Sequence, residues 1–267
     1  ATNTPLTFIG GQENKNWDNP LNWNFNRQPG DDEAVTVQAE TEISTHITSP
    51  SITIAKEGII HILSNGGLTV GEQGIANANN DGSSIIIENT PEGAGFLRVD
   101  PNAPNENPYC TMNYQTRGYN QGVPRDETWQ YMGAPGNNAR FKEELTDATL
   151  IYHWNEQQGW VKQSNSELAI IPTWQGYALT QSIGENYTYP IIAQAMQGVA
   201  EITLTCTSTG MKGDNLFVNS FAAPIDITKI TTEDLVEDEE DKLLKIFYLF
   251  NAGSWNQWKG DGNHNIT

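Results

Sequence analysis

A series of short alternating runs constrains this chain most. Val35-x-Val37, Ile52-x-Ile54, Ile60-x-Ile62 and Leu68-x-Val70 each set apolar residues two apart, the mark of a strand with one buried face. The last three recur every 8 residues, with Gly58, Gly66, Gly67 and Gly71 between them. Strands this short bury too little apolar surface to stand alone and are stable only when neighbours stack on them. The spacing therefore predicts a short β-solenoid, β-helix-like, over residues 1–100, continued less regularly by Ile85–Ile87 and Phe96–Val99. An antiparallel meander would need tighter turns than Glu57-Gly58-Ile59-Ile60-His61 offers. Ahead of these rungs, a stretch dense in Asn, Gly and Pro carries Trp17 and Trp23 and reads as an ordered loop pinned by two indoles.

Residues 100–108 hold three prolines and three asparagines, which break any strand and mark a domain boundary. Residues 101–267 then read as a β-sandwich-like domain, because aromatic and β-branched strands alternate with Gly, Asn and Pro turns. A cassette recurs inside it. TWQYMGAP (128–135) and LIYHWNEQQGWVK (150–162) return as NLFVNSFAAP (215–224) and KIFYLFNAGSWNQW (245–258), with Tyr152 and Tyr248 96 residues apart. The cassette is used once in full and once in part. Two helices are expected, over 138–147 and over 231–244, each after a Pro turn.

With 33 Asp and Glu against 14 Lys and Arg, the net charge of -19 repels phosphate backbones and anionic lipid heads, so nucleic acid is excluded as a partner. The acidity serves solubility, an extracellular surface or cation binding. No apolar run reaches the roughly 20 residues of a membrane span, so no membrane insertion is expected. Cys110 and Cys206 both lie in strand-like runs, as a disulfide closing a long loop or as two buried thiols.

Catalytic signatures are lacking in the sequence: there is no G-x-S-x-G, no H-E-x-x-H and no phosphate loop, and His46, His61, His153 and His264 sit in no recognisable setting. His61 is expected on the exposed side of its rung. A lyase acting on acidic polysaccharide needs basic residues, and residues 31–97 contain only Lys56. No catalytic residue and no cofactor are assigned. Asn77, Asn79, Asp81 and Glu88 match the ligand spacing of an EF-hand loop, with Gly82 at the turn, but strand-like flanks leave a polar turn or a weak calcium site as the alternatives. Trp154, Trp160, Trp174 and Tyr177, with Trp255 and Trp258, supply rings for a sugar-stacking platform or for the sandwich core.

Trp17, Asn22-Trp23, Pro29 and Asp31-Asp32 ahead of Val35-x-Val37 resemble the opening of repetitive surface and secreted proteins of the Bacteroidetes. TWQYMGAP, LIYHWNEQQGWV, GYALT (176–180) and NLFVNSFAAPIDITKI (215–230) resemble their later strands in the same order, across nearly the whole chain. Asn219-Ser220 and Trp174-Gln175-Gly176 depart from the pattern, which has Gly-Asn-Pro and Gly-x-Gly there. The resemblance implies export, an extracellular or cell-surface location and no established enzymatic activity. It also implies that this is the N-terminal piece of a longer protein. The expectation is a non-catalytic surface module for structural display or adhesion at a bacterial cell envelope, its partner an extracellular protein or glycan. The rival expectations are a glycan-binding accessory module and a carbohydrate-active enzyme.

Overall fold

The computed structural model describes residues 5–11, 14–104, 108–116, 129–145, 149–164, 168–181, 187–205, 207, 209, 213–226, 246–251 and 254–259, the last two ranges by their backbone. The chain is all-β with several sheets, none of them closed. In the first sheet, β1 (Leu6–Phe8), β2 (Val35–Val37), β4 (His46–Ile54), β6 (Gly67–Asn77) and β9 (Phe96–Val99) lie in that order, every neighbouring pair parallel. In the second, β3 (Glu40–Ile43), β5 (Ile59–Ile62), β7 (Ile85–Thr90) and β10 (Tyr109–Thr116) are parallel in turn. That sheet continues antiparallel through β16 (Tyr187–Gln194) to β12 (Asn137–Phe141), while β8 (Gly93–Ala94) folds back on β7.

The runs that recur every 8 residues are not one another's neighbours. Successive runs go to alternate sheets: Ile52 lies opposite Val35 and Ile75, whereas Ile60 lies opposite Thr41 and Ile85. Parallel partners stand 17 residues apart at Val35 and Ile52 and 29 apart at Gly67 and Phe96. Gly58 and Gly66 occupy corners between the sheets, while Gly67 and Gly71 lie within β6. A Cβ on Gly58 would lie 2.2 Å from the Val37 carbonyl oxygen, and one on Gly66 2.2 Å from that of Ile43, so each corner rests directly on the one before it. Backbone bonds follow the same path, Ala55 N–H to Val37 O at 2.9 Å and Leu63 N–H to Ile43 O at 2.9 Å. Pro50 sits within β4 where the ladder slips between Ser49 and Ser51, the irregularity that lets an imide lie inside a sheet.

Inward side chains of both sheets fill one core of Val35, Val37, Ile52, Ile54, Leu68 and Val70 from the first and Ile43, Ile60, Ile62, Ile85, Ile87 and Cys110 from the second. The loop after β1 closes its edge. Trp23 is fully buried and Trp17 nearly so, Trp23 Nε1 donates to Trp17 O at 2.9 Å, and Phe8 packs edge-on against Trp23 with ring centres 5.3 Å apart. Trp17 N–H bonds Glu42 O at 2.9 Å, which covers the exposed edge of β3.

A third sheet is antiparallel throughout, with β11 (Gln130–Met132), β15 (Tyr177–Gln181), β13 (Thr149–Asn155) and β14 (Gly159–Gln163) in that order. Met132, Ile151, Tyr177 and Leu179 face a second core shared with Ala139, Tyr189, Ile191 and Ala193. A polar seam joins this sheet to the second: Gln181 Nε2 donates to Thr116 Oγ1 at 2.9 Å, and the Thr149 and Tyr189 hydroxyls meet at 2.8 Å. Because β10 pairs with β7 on one side and β16 on the other, the seven-stranded sheet runs across the Pro/Asn-rich stretch, and it is the two cores that are separate. Within the later stretch, β17 (Ile246–Asn251) and β18 (Ser254–Lys259) form an antiparallel hairpin.

One expected helix is a strand. Residues Asn137–Phe141 form β12, where Arg140 and Phe141 pair with Ile192 and Ile191 and the Ala139 side chain enters the second core, so sheet pairing overrides local helical preference. The other, over 231–244, lies outside the described residues. Among the described residues, no helix is long and apolar enough to cross a membrane.

Candidate functional site

Register decides which side chains of the third sheet share its outer face. Tyr131 lies opposite Ala178, Ala178 opposite Tyr152, and Tyr152 opposite Lys162; Trp154 lies opposite Trp160. Residues directly opposite project to the same side. Since Met132, Ile151, Tyr177 and Leu179 take the inner side, the outer side of the sheet receives the aromatic series. Ring contacts knit it together: Trp129 meets Tyr152 edge-on at 5.4 Å, Tyr131 meets Trp160 at 6.0 Å, and Trp154 meets Trp160 edge-on at 5.2 Å.

Between these rings lies an open cleft of about 210 Å³, walled by Trp129, Tyr131, Tyr152 and Trp160 over Ala178. The methyl group of Ala178 keeps the floor low where a larger side chain would fill the space. Trp160 remains 41% exposed, which is unusual for an indole in a sheet whose core lies on the other side. Burial among the rings pushes the Tyr131 phenol above its usual pKa. The Tyr114 hydroxyl, on β10, donates to Tyr131 O at 2.7 Å and fixes this wall to the second sheet.

A larger and more polar groove of about 370 Å³ borders Trp154 and includes Glu156, Trp174, Glu201, Thr205 and Asn215. Trp154 Nε1 donates to Asp214 O at 2.6 Å, so this indole nitrogen holds the groove wall. Glu156 is buried and accepts from Gly213 N–H at 3.0 Å, Thr207 N–H at 3.1 Å and the Thr207 hydroxyl at 2.7 Å; the Gly213 bond foremost, with the Thr207 bonds, holds its carboxyl below the usual range. Trp174 adopts φ 67, a left-handed conformation rare for a bulky residue. Its N–H donates to the buried Ser220 Oγ at 2.8 Å and its ring packs edge-on against Phe221 at 5.4 Å.

The four aromatic residues expected from sequence therefore divide. Trp160 walls the cleft, Trp154 packs on it and lines the larger groove, and Trp174 lines that groove alone. Tyr177 is a correction: it is 3% exposed in the second core, burial pushes its phenol up to about 12, and it presents no face to a sugar. Trp129, Tyr131 and Tyr152 were missed, although the spacings Trp129-x-Tyr131 and Tyr152-x-Trp154 are the signal for one shared face. The side chains of Trp255 and Trp258 lie outside the described residues.

The residues of the calcium-like spacing hold hydrogen bonds within the protein. Asn77 Oδ1 accepts from Asn79 N–H at 3.0 Å, Asn79 Nδ2 donates to Lys56 O, and Asp81 Oδ1 accepts from Ser83 N–H at 2.8 Å and the Ser83 hydroxyl at 2.6 Å. Glu88, on β7, is instead bound to His61 Nε2 at 2.6 Å and Asn113 Nδ2 at 2.8 Å. His61 thus lies on the outer side of its rung but half-buried in an ion pair. Among the described residues, no three His, Cys, Asp or Glu side chains gather as a metal site. Cys110 is a free, fully buried thiol pushed up to about 12 by burial, and Cys206 lies outside the described residues.

Comparison of the chain with protein-family models, curated proteins and solved structures finds no match.

Proposed function

We propose that this chain is a non-catalytic, exported surface module that binds glycan through the outer face of its four-stranded sheet. In this reading the stacked parallel strands are a short β-solenoid, the second core belongs to a sandwich-like domain, and together they display the aromatic face at a bacterial cell envelope. The observation that carries the proposal is the cleft walled by Trp129, Tyr131, Tyr152 and Trp160. Apolar sugar faces pack on such rings, and a sheet already buried on its inner side has no packing need for four more on the outside. The resemblance to repetitive surface proteins of the Bacteroidetes supports export and adhesion.

A carbohydrate-active enzyme would draw on Glu156 and Glu201, which both line the larger groove. The bonds to Glu156 lower its pKa, which suits it to the ionised carboxylate of a catalytic pair and not to the general acid, and it is the aromatic cleft that favours the binding reading. A glycan array probed with the intact chain and with Trp160→Ala is the test. The proposal expects hits that vanish in the variant and glycans recovered uncleaved. An array without hits, or cleaved glycans, contradicts it.

A further inference from the structure

We infer that the aromatic cleft takes an anionic sugar, a ring bearing a carboxylate or a sulfate, with Lys162 as its charge partner. This rests on the glycan-binding reading and adds the chemical class of the ligand. The four strands of the third sheet contain no Asp or Glu, in a chain with 33 of them. On the outer face the aromatic positions alternate with Leu150, Ala178 and Thr180, and the single charged position is Lys162. It stands directly opposite Tyr152 and two residues along β14 from Trp160, so its Cβ lies about 5 Å from that of a residue walling the cleft.

Lys162 is exposed and forms no salt bridge among the described residues, whose ion pairs are Lys15–Glu40, Arg27–Glu33 and His61–Glu88. Its flexible four-carbon stem lets the ammonium swing over the cleft mouth. A pyranose stacked on Trp160 and Tyr152 then meets a positive charge at its rim and no negative one in the sheet beneath it. A neutral sugar leaves that charge unused, whereas an anionic one complements it at contact range, where salt screens the long-range repulsion of the net charge of -19.

Calorimetric titration with three matched probes, lactose, sialyllactose and sulfolactose, tests the inference on the intact chain, Lys162→Met and Lys162→Glu. The expected result is that at least one anionic probe binds about fivefold more tightly than lactose, the scale of an exposed ion pair. That advantage disappears in Lys162→Met and reverses in Lys162→Glu, with lactose affinity the same in all three. The carboxylated and sulfated arms show which anion is preferred. Equal affinity for all three probes, indifferent to Lys162, overturns the inference while leaving glycan binding intact. Binding of none overturns it as well, and the array then decides separately whether any glycan is bound. A concentration-dependent dimer abolished by Trp160→Ala would assign the face to a second copy of the chain instead.

Discussion

The parallel sheets and the four-stranded antiparallel sheet are built from similar short strands and place their tryptophans oppositely. In the parallel region Phe8, Trp17 and Trp23 lie inside, at the edge of an otherwise aliphatic core, while the outer positions carry Thr36, Thr53, His61 and Glu88 together with Ile86 and the half-buried Phe96. In the antiparallel sheet Met132, Ile151, Tyr177 and Leu179 serve the core, and Trp129, Tyr131, Tyr152 and Trp160 stand outside. An indole thus stabilises the fold in one region and stands open to a ligand in the other. Substitution of a ring should therefore cost stability in the first region and affinity in the second.

The largest effect expected from breaking this contrast is at Trp23. Trp23→Ala removes a fully buried indole and should lower unfolding stability by about 3–5 kcal/mol in denaturant titration, with the glycan affinity of the remaining folded protein unchanged. Trp160→Ala should do the reverse, abolishing binding with little loss of stability, since this ring is 41% exposed. The stacking of the parallel region is next. Gly66→Ala drives a Cβ against the Ile43 carbonyl, a backbone atom that cannot swing aside, and should cost about 1–3 kcal/mol, measured by thermal melting; an unchanged melt would mean that the corners do not rest on one another.

The smallest effect is electrostatic. The hydrogen bond from His61 holds the Glu88 carboxyl below its usual 4.5, and the bond to Glu88, with Glu42 and Glu40 nearby, raises His61 above its usual 6.5. The contribution of Glu88 is present above pH 4.5 and is lost as pH falls through its lowered pKa. That of His61 is present below pH 6.5 and is lost as pH rises through its raised one. The pair should therefore stabilise most between those values, by about 1 kcal/mol or less, and melting profiles against pH should lose this rise in His61→Gln. The same profile in both proteins would remove the ion pair from the account.

Much of the parallel region was legible because its inner positions are Ile, Val and Leu two apart within each run and Gly58 and Gly66 mark two of its corners. Which sheet each run joins was not, since period-two alternation is identical on either side. Ile60 and Ile52 look alike in sequence and lie in different sheets. In the third sheet the difficulty is β15, where Tyr177 through Gln181 are all buried and no alternation separates the faces. Tyr177 was therefore indistinguishable from an outward ring until its partners were known: it pairs with Met132 and His153 on the inner side, while Ala178 pairs with Tyr131 and Tyr152 on the outer. The ion pair of His61 with Glu88 also escapes local reading, because a parallel ladder sets its partners 27 residues apart.

The most direct test of the central claim uses the tryptophans as reporters in one experiment. Indole N–H resonances, assigned by single substitutions and followed by two-dimensional NMR during titration with an array-positive oligosaccharide, should shift at Trp129 and Trp160 and stay fixed at Trp17 and Trp23. Shifts confined to Trp17 and Trp23, or none at Trp160 while the sugar binds, would contradict the account.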